Sequence, residues 1–378
     1  MGDNASKSRE WKETVILDVG SGCVKAGLSS DRDPKIVTAT VVGYPKASEA
    51  TETSIVVGYE AIEKSDQLRL IWPVRRGIII DFEAWSAIIR YVLNKLDVDP
   101  GNHPIFITEP ILNPTQQRIR IAEYLFETLN VPGIYFGLHP LLALFSVGKV
   151  TGLVVESGEG LTQIIAVQES YPLHHSAIRI PIGGIDITRY LMKLIMRKGI
   201  HISSEYEIEH IRRIKEKACY LETDYESKLR LARGGMLEGE KFELPNGRTI
   251  VLHEEKFVAP EIIYRPSLIG LKTKPLDEAI TEAIFSVDID VRPAMYPNII
   301  ISGGNTKIRG FIERLQNELL ENIPERAKDK LNIGALKDRE YCVYRGATIL
   351  TNLPAFRKIL ITKEKWAEEG PSSVLGAI

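Results

Sequence analysis

One short pattern occurs twice in this chain, and it constrains the fold more than any other feature. Val15 to Leu28 reads VILDVGSGCVKAGL: a β-rich run, a glycine turn, then a second strand-like run. The plan returns in GLVVESGEGLTQIIAV, where GLVV leads into ESGEG and TQIIAV leads out with alternating side chains. In each copy an acid closes the first strand, and these two acids, Asp18 and Glu156, lie 138 positions apart. The exit is a strand, not a helix. That excludes the Walker loop and the dinucleotide fingerprint, both of which open a helix.

Two such hairpins predict a duplicated fold whose halves face each other. Amides of glycine turns form anion-binding concavities, so two opposed turns would cradle a polyphosphate. Acids cannot bind phosphate directly, and they fit only if a divalent cation with its waters lies between. The plain alternative is two ordinary hairpins whose glycines satisfy φ > 0. A third glycine signal is IIISGGNTKIRGF, with a strand at Asn298–Ser302, then Gly303-Gly304, then a helical pattern from Ile308. Such a double glycine lets the backbone approach a flat ligand such as a nucleoside.

Helical patterns are expected at Trp85–Leu96, Thr115–Leu129, Ile185–Arg197, Leu276–Phe285 and Ile308–Leu319. Ser204 with Glu207 reads as a capping box ahead of a stripe of Ile208, Ile211, Ile214, Ala218 and Leu221. Beside that stripe, Lys215 and Glu216 read locally as solvated helix charges. Strands alternating with helices place the chain in the α/β class. Pro45–Ser54, PKASEATETS, lacks large apolar residues and reads as an exposed loop. Adjacent His174 and His175 are expected on a strand, where neighbours point to opposite faces and share no metal.

Composition narrows the function. At 378 residues, 44% hydrophobic and with a formal net charge of −2, the chain carries no basic stripe that would argue for nucleic acid. No apolar run approaches the roughly 18 residues of a bilayer span. Cys23, Cys219 and Cys342 are odd in number and far apart, which fits a reducing compartment better than a disulfide framework. The start, MGDNASKS, matches a Gly2 acylation pattern, but a polar, frayed terminus accounts for it as well.

Taken together these residues resemble the actin family. LDVGSGCVKAG is similar to its first phosphate loop, VVESGEGLT to the second and ISGGNT to the adenosine loop. FITEPILNP, WPVRRGIIIDFEAW, IRRIKEKACYLE, RGATILTNLPAF and ITKEKWAEEGPSSV follow in the family's order. The resemblance implies an actin-like ATPase fold: two ribonuclease H-like domains flanking a nucleotide cleft, each with a small inserted subdomain. Domain I would comprise 1–146 and 342–378, with its small subdomain near 40–72; domain II would be 147–341, with one near 183–271. It implies ATP or ADP with Mg²⁺ or Ca²⁺, the cation held by Asp18 and Glu156 through water. Asp18, Gly20, Ser21, Gly22 and Lys25 would form the first phosphate site, and Ser157, Gly158, Glu159 and Gly160 the second. Gly303, Gly304, Lys215 and Glu216 would meet adenosine and ribose, replacing the solvated reading of those two charges.

The chain also departs from the family pattern. Glu156 and Glu159 stand where aspartates are usual, and each extra methylene must move the water shell or the turn. His139 replaces the glutamine that orients the attacking water, while Gln163 replaces a histidine, as if the two had exchanged places. If both face one water, His139 is the more basic group; otherwise hydrolytic geometry is lost. The loop near residue 50 is short and polar, and Leu268-Ile269-Gly270-Leu271 is followed by Lys272 and Lys274. The receiving groove, with Phe145, Tyr171, Leu350 and Leu353, is better kept. The expected function is therefore an ATP-binding cytoskeletal or complex subunit with weak or absent hydrolysis, joining or capping actin-like partners. The alternative is a conventional filament-forming ATPase. The resemblance implies a cytoplasmic, cytoskeletal location, with the nucleus as a second possibility.

Overall fold

The computed structural model describes residues 11–46 and 55–375. The acylation pattern and all but the first two residues of the loop expected at Pro45–Ser54 lie outside that range.

The first sheet is built from β1 (Val15–Val19), β2 (Cys23–Leu28), β3 (Ile36–Ala39), β4 (Ile105–Glu109) and β5 (Gly133–Leu138). The second uses β6 (Gly152–Ser157), β7 (Thr162–Gln168), β8 (Tyr171–Pro172), β9 (Ile178–Ile180), β10 (Ile299–Ser302) and β11 (Ile333–Ala335). A short β12 (Ile361–Thr362) returns to the edge of the first. The strand orders are β12-β5-β4-β1-β2-β3 and β8-β7-β6-β10-β11, with β9 also on β7.

The duplication read from the sequence is therefore a duplication of topology. β1 runs antiparallel to β2 and parallel to β4; β6 runs antiparallel to β7 and parallel to β10. Register is matched too: Asp18 lies opposite Lys25, and Glu156 lies opposite Gln163. Central strands buried on both faces explain the unbroken apolar runs, with β4 buried at all five positions.

Four helices position the site: α1 (His139–Ser146), α2 (Gly184–Met196), α3 (Glu205–Ala218) and α4 (Cys342–Thr351). The helices α1 and α4 pack on each other between the sheets, α1 against β6 and α4 against β1. Their approach requires glycine at 346, because a Cβ there would stand 1.9 Å from the Leu142 carbonyl oxygen. The capping box is present at the start of α3, where Ser204 accepts from the Glu207 amide.

Some local expectations need correction. The helix expected from Ile308 starts at Phe311, behind a short 3-10 turn at Gly304–Lys307. Gly310 interrupts it at φ 82°, and a Cβ there would meet the Leu221 carbonyl oxygen at 2.2 Å. The helix expected over Thr115–Leu129 changes to a π-helical turn at Tyr124–Thr128. His174 and His175 lie in an exposed 3-10 turn, not on a strand.

Each sheet's surroundings contain a buried arginine–carboxylate pair. Arg118 meets Glu109 in the first, and Arg314 takes Glu261 with bonds of 3.0 and 3.2 Å in the second. Burial raises the Glu261 carboxyl above its ordinary range, and Arg314 opposes this only in part. Arg314→Leu would leave the fully buried Glu261 with only the more exposed Arg265, 3.2 Å away, as an ionic partner. The expected loss is about 3–5 kcal/mol, read as a lowered midpoint in urea unfolding.

Candidate functional site

The first turn is closed by its own backbone and braced from outside. The Gly20 amide donates to the Cys23 carbonyl at 3.1 Å, while buried Thr40 bonds the Gly20 and Gly22 carbonyls at 2.8 and 3.1 Å. Asp18 accepts from Lys25 Nζ across the ladder at 3.0 Å and from the Thr108 hydroxyl on β4 at 2.8 Å. Burial pushes the Asp18 carboxyl up, but Lys25, His139 and Thr108 outweigh it and leave it below its usual range. Burial likewise opposes charge on Lys25, and Asp18 more than compensates, so the ammonium is held protonated.

The second turn brings Glu156, Gln163 and His139 together. The Gln163 amide donates to Glu156 through Nε2 and accepts from the Ile111 amide at 2.9 Å. His139, at the start of α1, has Nδ1 3.3 Å from Glu156 and Nε2 3.1 Å from Thr108 Oγ1. The Thr108 proton is used on Asp18, so Thr108 can only accept from the imidazole. Both ring nitrogens thus face acceptors. Burial lowers the His139 pKa, yet Glu156 and Asp18 together raise it above its ordinary value, as an imidazolium requires.

Asp18, Lys25, His139 and Glu156 consequently form a compact set of alternating charge drawn from both sheets. Nε2 of His139 is also 3.7 Å from Asp18, so one ring faces the acids of both turns.

The turns themselves touch. A Cβ on Gly22 would lie 2.6 Å from the Glu159 Cβ, and one on Gly160 would lie 2.4 Å from Ser21 Oγ. The amides of Ser21, Gly22, Glu159 and Gly160 donate to no protein acceptor among the described residues, whereas Gly158 donates to Leu161. Four free donors in two facing turns suit an anion. Asp18 and Glu156 supply the oxygen donors that a hard divalent cation takes. The residues present therefore fit a nucleotide with its metal.

Further out, the longer side chain of Glu159 reaches Lys215 at 3.7 Å and fills the space that a Cβ on Gly184 would need. Burial raises the Glu159 carboxyl, Lys215 and Arg212 oppose this, and Glu216 adds to it. Lys215 is 3% exposed and donates to the Gly184 carbonyl at 3.1 Å, so its solvated reading fails. Glu216 remains half exposed in a 2.5 Å pair with Arg212. Ser157 is buried, its hydroxyl bonded to Thr162 and Asn305. Gly303, at φ 91°, lies against Ser157, while a Cβ on Gly304 would meet nothing nearer than the Glu340 Cβ at 3.9 Å. A separate open hollow of about 360 Å³ lined by Lys46, Ser65, Asp66, Leu68, Leu70 and Ser203–Glu205 holds none of these residues.

Sequence reasoning missed the residues that fasten the turns together. Arg76, at φ 49°, donates to the Gly160 and Pro181 carbonyls at 2.9 and 2.6 Å and grips Asp186 through two bonds of 2.9 and 3.1 Å. The next amide, Gly77, donates to Ser21 Oγ at 3.0 Å. From the other side, Arg179 donates to the Arg76 carbonyl at 2.6 Å. Nothing in the spacing of VRRG reveals this. The bonds span 84 to 110 residues of chain.

The model of the actin family matches residues 9–376, nearly the whole chain. The chain belongs to the actin family, and its paired α/β sheets are the actin-like ATPase fold. Proteins of this family bind nucleotide with a divalent metal. Among the described residues no helix is long and apolar enough to cross a membrane.

Arg76→Ala removes the side-chain bonds to Gly160, Pro181 and Asp186 and leaves only the Arg179 bond to the residue 76 carbonyl. Thermal unfolding is expected to show a loss of about 1–2 kcal/mol, part of the ion pair being solvent-screened. Proteolysis near residues 76–80 should quicken in the same variant.

Proposed function

We propose that this chain binds ATP or ADP with Mg²⁺ or Ca²⁺ between its two turns and serves as a nucleotide-stabilised subunit. The observation that carries this reading is the convergence of both turns, with four free amides, on the charge set of Asp18, Lys25, His139 and Glu156. The turns would hold phosphate, Lys25 would add a point charge, and Asp18 and Glu156 would hold the cation through water. When bound, the metal would neutralise phosphate charge. The same reading divides the chain into 1–146 with 342–378, and 147–341, so that nucleotide bridges two domains and biases their closure.

Weak or absent hydrolysis follows from the state of His139. Nδ1 of His139 faces Glu156 and Nε2 faces the Thr108 oxygen, so neither ring nitrogen is free to take a proton from water, and Gln163 is engaged by Glu156 and the Ile111 amide. The competing reading, a filament-forming ATPase, draws on the proximity of this imidazole and amide, 3.4 Å apart. For assembly, the apolar residues of Leu268–Leu271 pack partly on the chain's own second core and leave little to donate. Tyr171 and Leu353 are exposed, with Phe145 and Leu350 half-buried beside the joint between sheets. This favours joining or capping actin-like partners over homopolymer, in the cytoplasm and cytoskeleton.

Mg·ATP at a hundred times its Kd should stabilise the fold by about 2.7 kcal/mol, read as a raised melting temperature. No shift at millimolar nucleotide would overturn the binding claim. Single-turnover assays of the wild type and His139→Gln should show little cleavage in the former. Brisk hydrolysis coupled to pelletable filaments at micromolar protein would favour the competing reading.

A further inference from the structure

We propose that the open hollow beside the start of α3 binds a small zwitterion of the α-amino acid class. Its carboxylate would meet Lys46 and the first amides of α3, and its ammonium would meet Asp66 and Glu205. The hollow shares no residue with the two turns, so the proposal stands independently of the nucleotide reading.

One wall is a strand pair. Pro45 lies opposite Leu68 in antiparallel register, and the Lys46 amide continues the ladder to the Gln67 carbonyl at 3.2 Å. The Lys46 side chain folds back on the same segment, where Nζ donates to the Ser65 and Asp66 carbonyls at 3.1 and 2.8 Å. An ammonium carries three protons, and the third meets no acceptor among the described residues. Ser65, which also lines the hollow, is 9% exposed, and its buried hydroxyl has no hydrogen-bond partner. Such a group is uncommon in a native protein. The other wall is the first turn of α3. Its capping box occupies the amides of Ser203, Ser204 and Glu207. Those of Glu205 and Tyr206 donate to no acceptor among the described residues. Free amides at the positive end of a 14-residue helix favour an anionic oxygen.

Charge decides which ligand completes these groups. Lys46 and the helix end call for an anion, yet Asp66 and Glu205 line the same hollow. Neither acid pairs with a cation among the described residues. A bare phosphate would meet two carboxylates, and a bare metal ion would meet the ammonium. A molecule carrying both charges on neighbouring atoms satisfies both sets at once. Leu68 and Leu70 supply the apolar remainder of the lining, which suits an aliphatic side chain. A volume of about 360 Å³ lies at the small end of ligand pockets, as a single amino acid requires.

The test is calorimetric titration of the full chain with leucine, leucinamide, N-acetylleucine and inorganic phosphate. Leucine should half-saturate the wild type at about 1 mM or below. Leucinamide lacks the carboxylate and N-acetylleucine the ammonium, so each should bind about 10-fold more weakly. Lys46→Met should bring leucine down to the level of leucinamide. The double variant Asp66→Asn with Glu205→Gln should instead bring it down to the level of N-acetylleucine. All three side chains are exposed, so melting temperatures should stay close to that of the wild type. Should Lys46→Met misfold, the double variant decides. Absence of leucine binding at about 10 mM, equal binding of leucine and both analogues, or selectivity that survives the substitutions overturns the proposal. Phosphate bound more tightly than leucine also overturns it, because the hollow is then a simple anion site.

Discussion

The alternation of charge along Lys25, Asp18, His139 and Glu156 is the interaction on which the rest of the site depends. Asp18 is buried and the side chains of Lys25, His139 and Glu156 are only 12–14% exposed, so each charge depends on its neighbours. Lys25 and Asp18 belong to one sheet, Glu156 to the other, and His139 opens the helix that joins them. Charge balance therefore requires the two sheets to meet where their turns meet. The packing of α1 on α4 across Gly346 sets the distance, and the Arg76 grip on Asp186 and Gly160 holds the same approach from outside.

The two glutamates that stand where the resemblance expects aspartates have different surroundings. Glu156 is absorbed by local partners, His139 and Gln163, which take both of its oxygens. Glu159 instead extends beyond its turn to Lys215 and the backbone of Gly184, where the pocket for a sugar is expected. The added methylene thus tightens contact between the second turn, α2 and α3. The exchange of His139 and Gln163 has a matching cause: each residue is bound to Glu156, so each is held by the acid rather than aimed by itself.

Much of this was legible in the sequence because strands and turns are local. The two hairpins, the acids that close them and the apolar strands showed as period and punctuation. The capping box at Ser204 and Glu207 was similarly readable, since both partners lie within one turn. Boundaries failed where a distant group decided them, as at Gly310, whose backbone is pressed against Leu221. Lys215 looked solvated because helix periodicity does not reveal that Glu159 will cover it.

By itself the sequence determined the duplicated α/β plan, the position of both turns and, through its resemblance, membership of the actin family. Tertiary structure alone decided that Thr108 turns His139 into a donor, that Arg76 fastens one turn to the other, and that Asn305 bonds Ser157. The physical reason is the range of the forces involved. Backbone propensity and pleat act over a few residues and leave a pattern in the chain. Proton direction and charge balance depend on which atoms meet after folding, and those atoms come from segments some 30 to 150 positions apart.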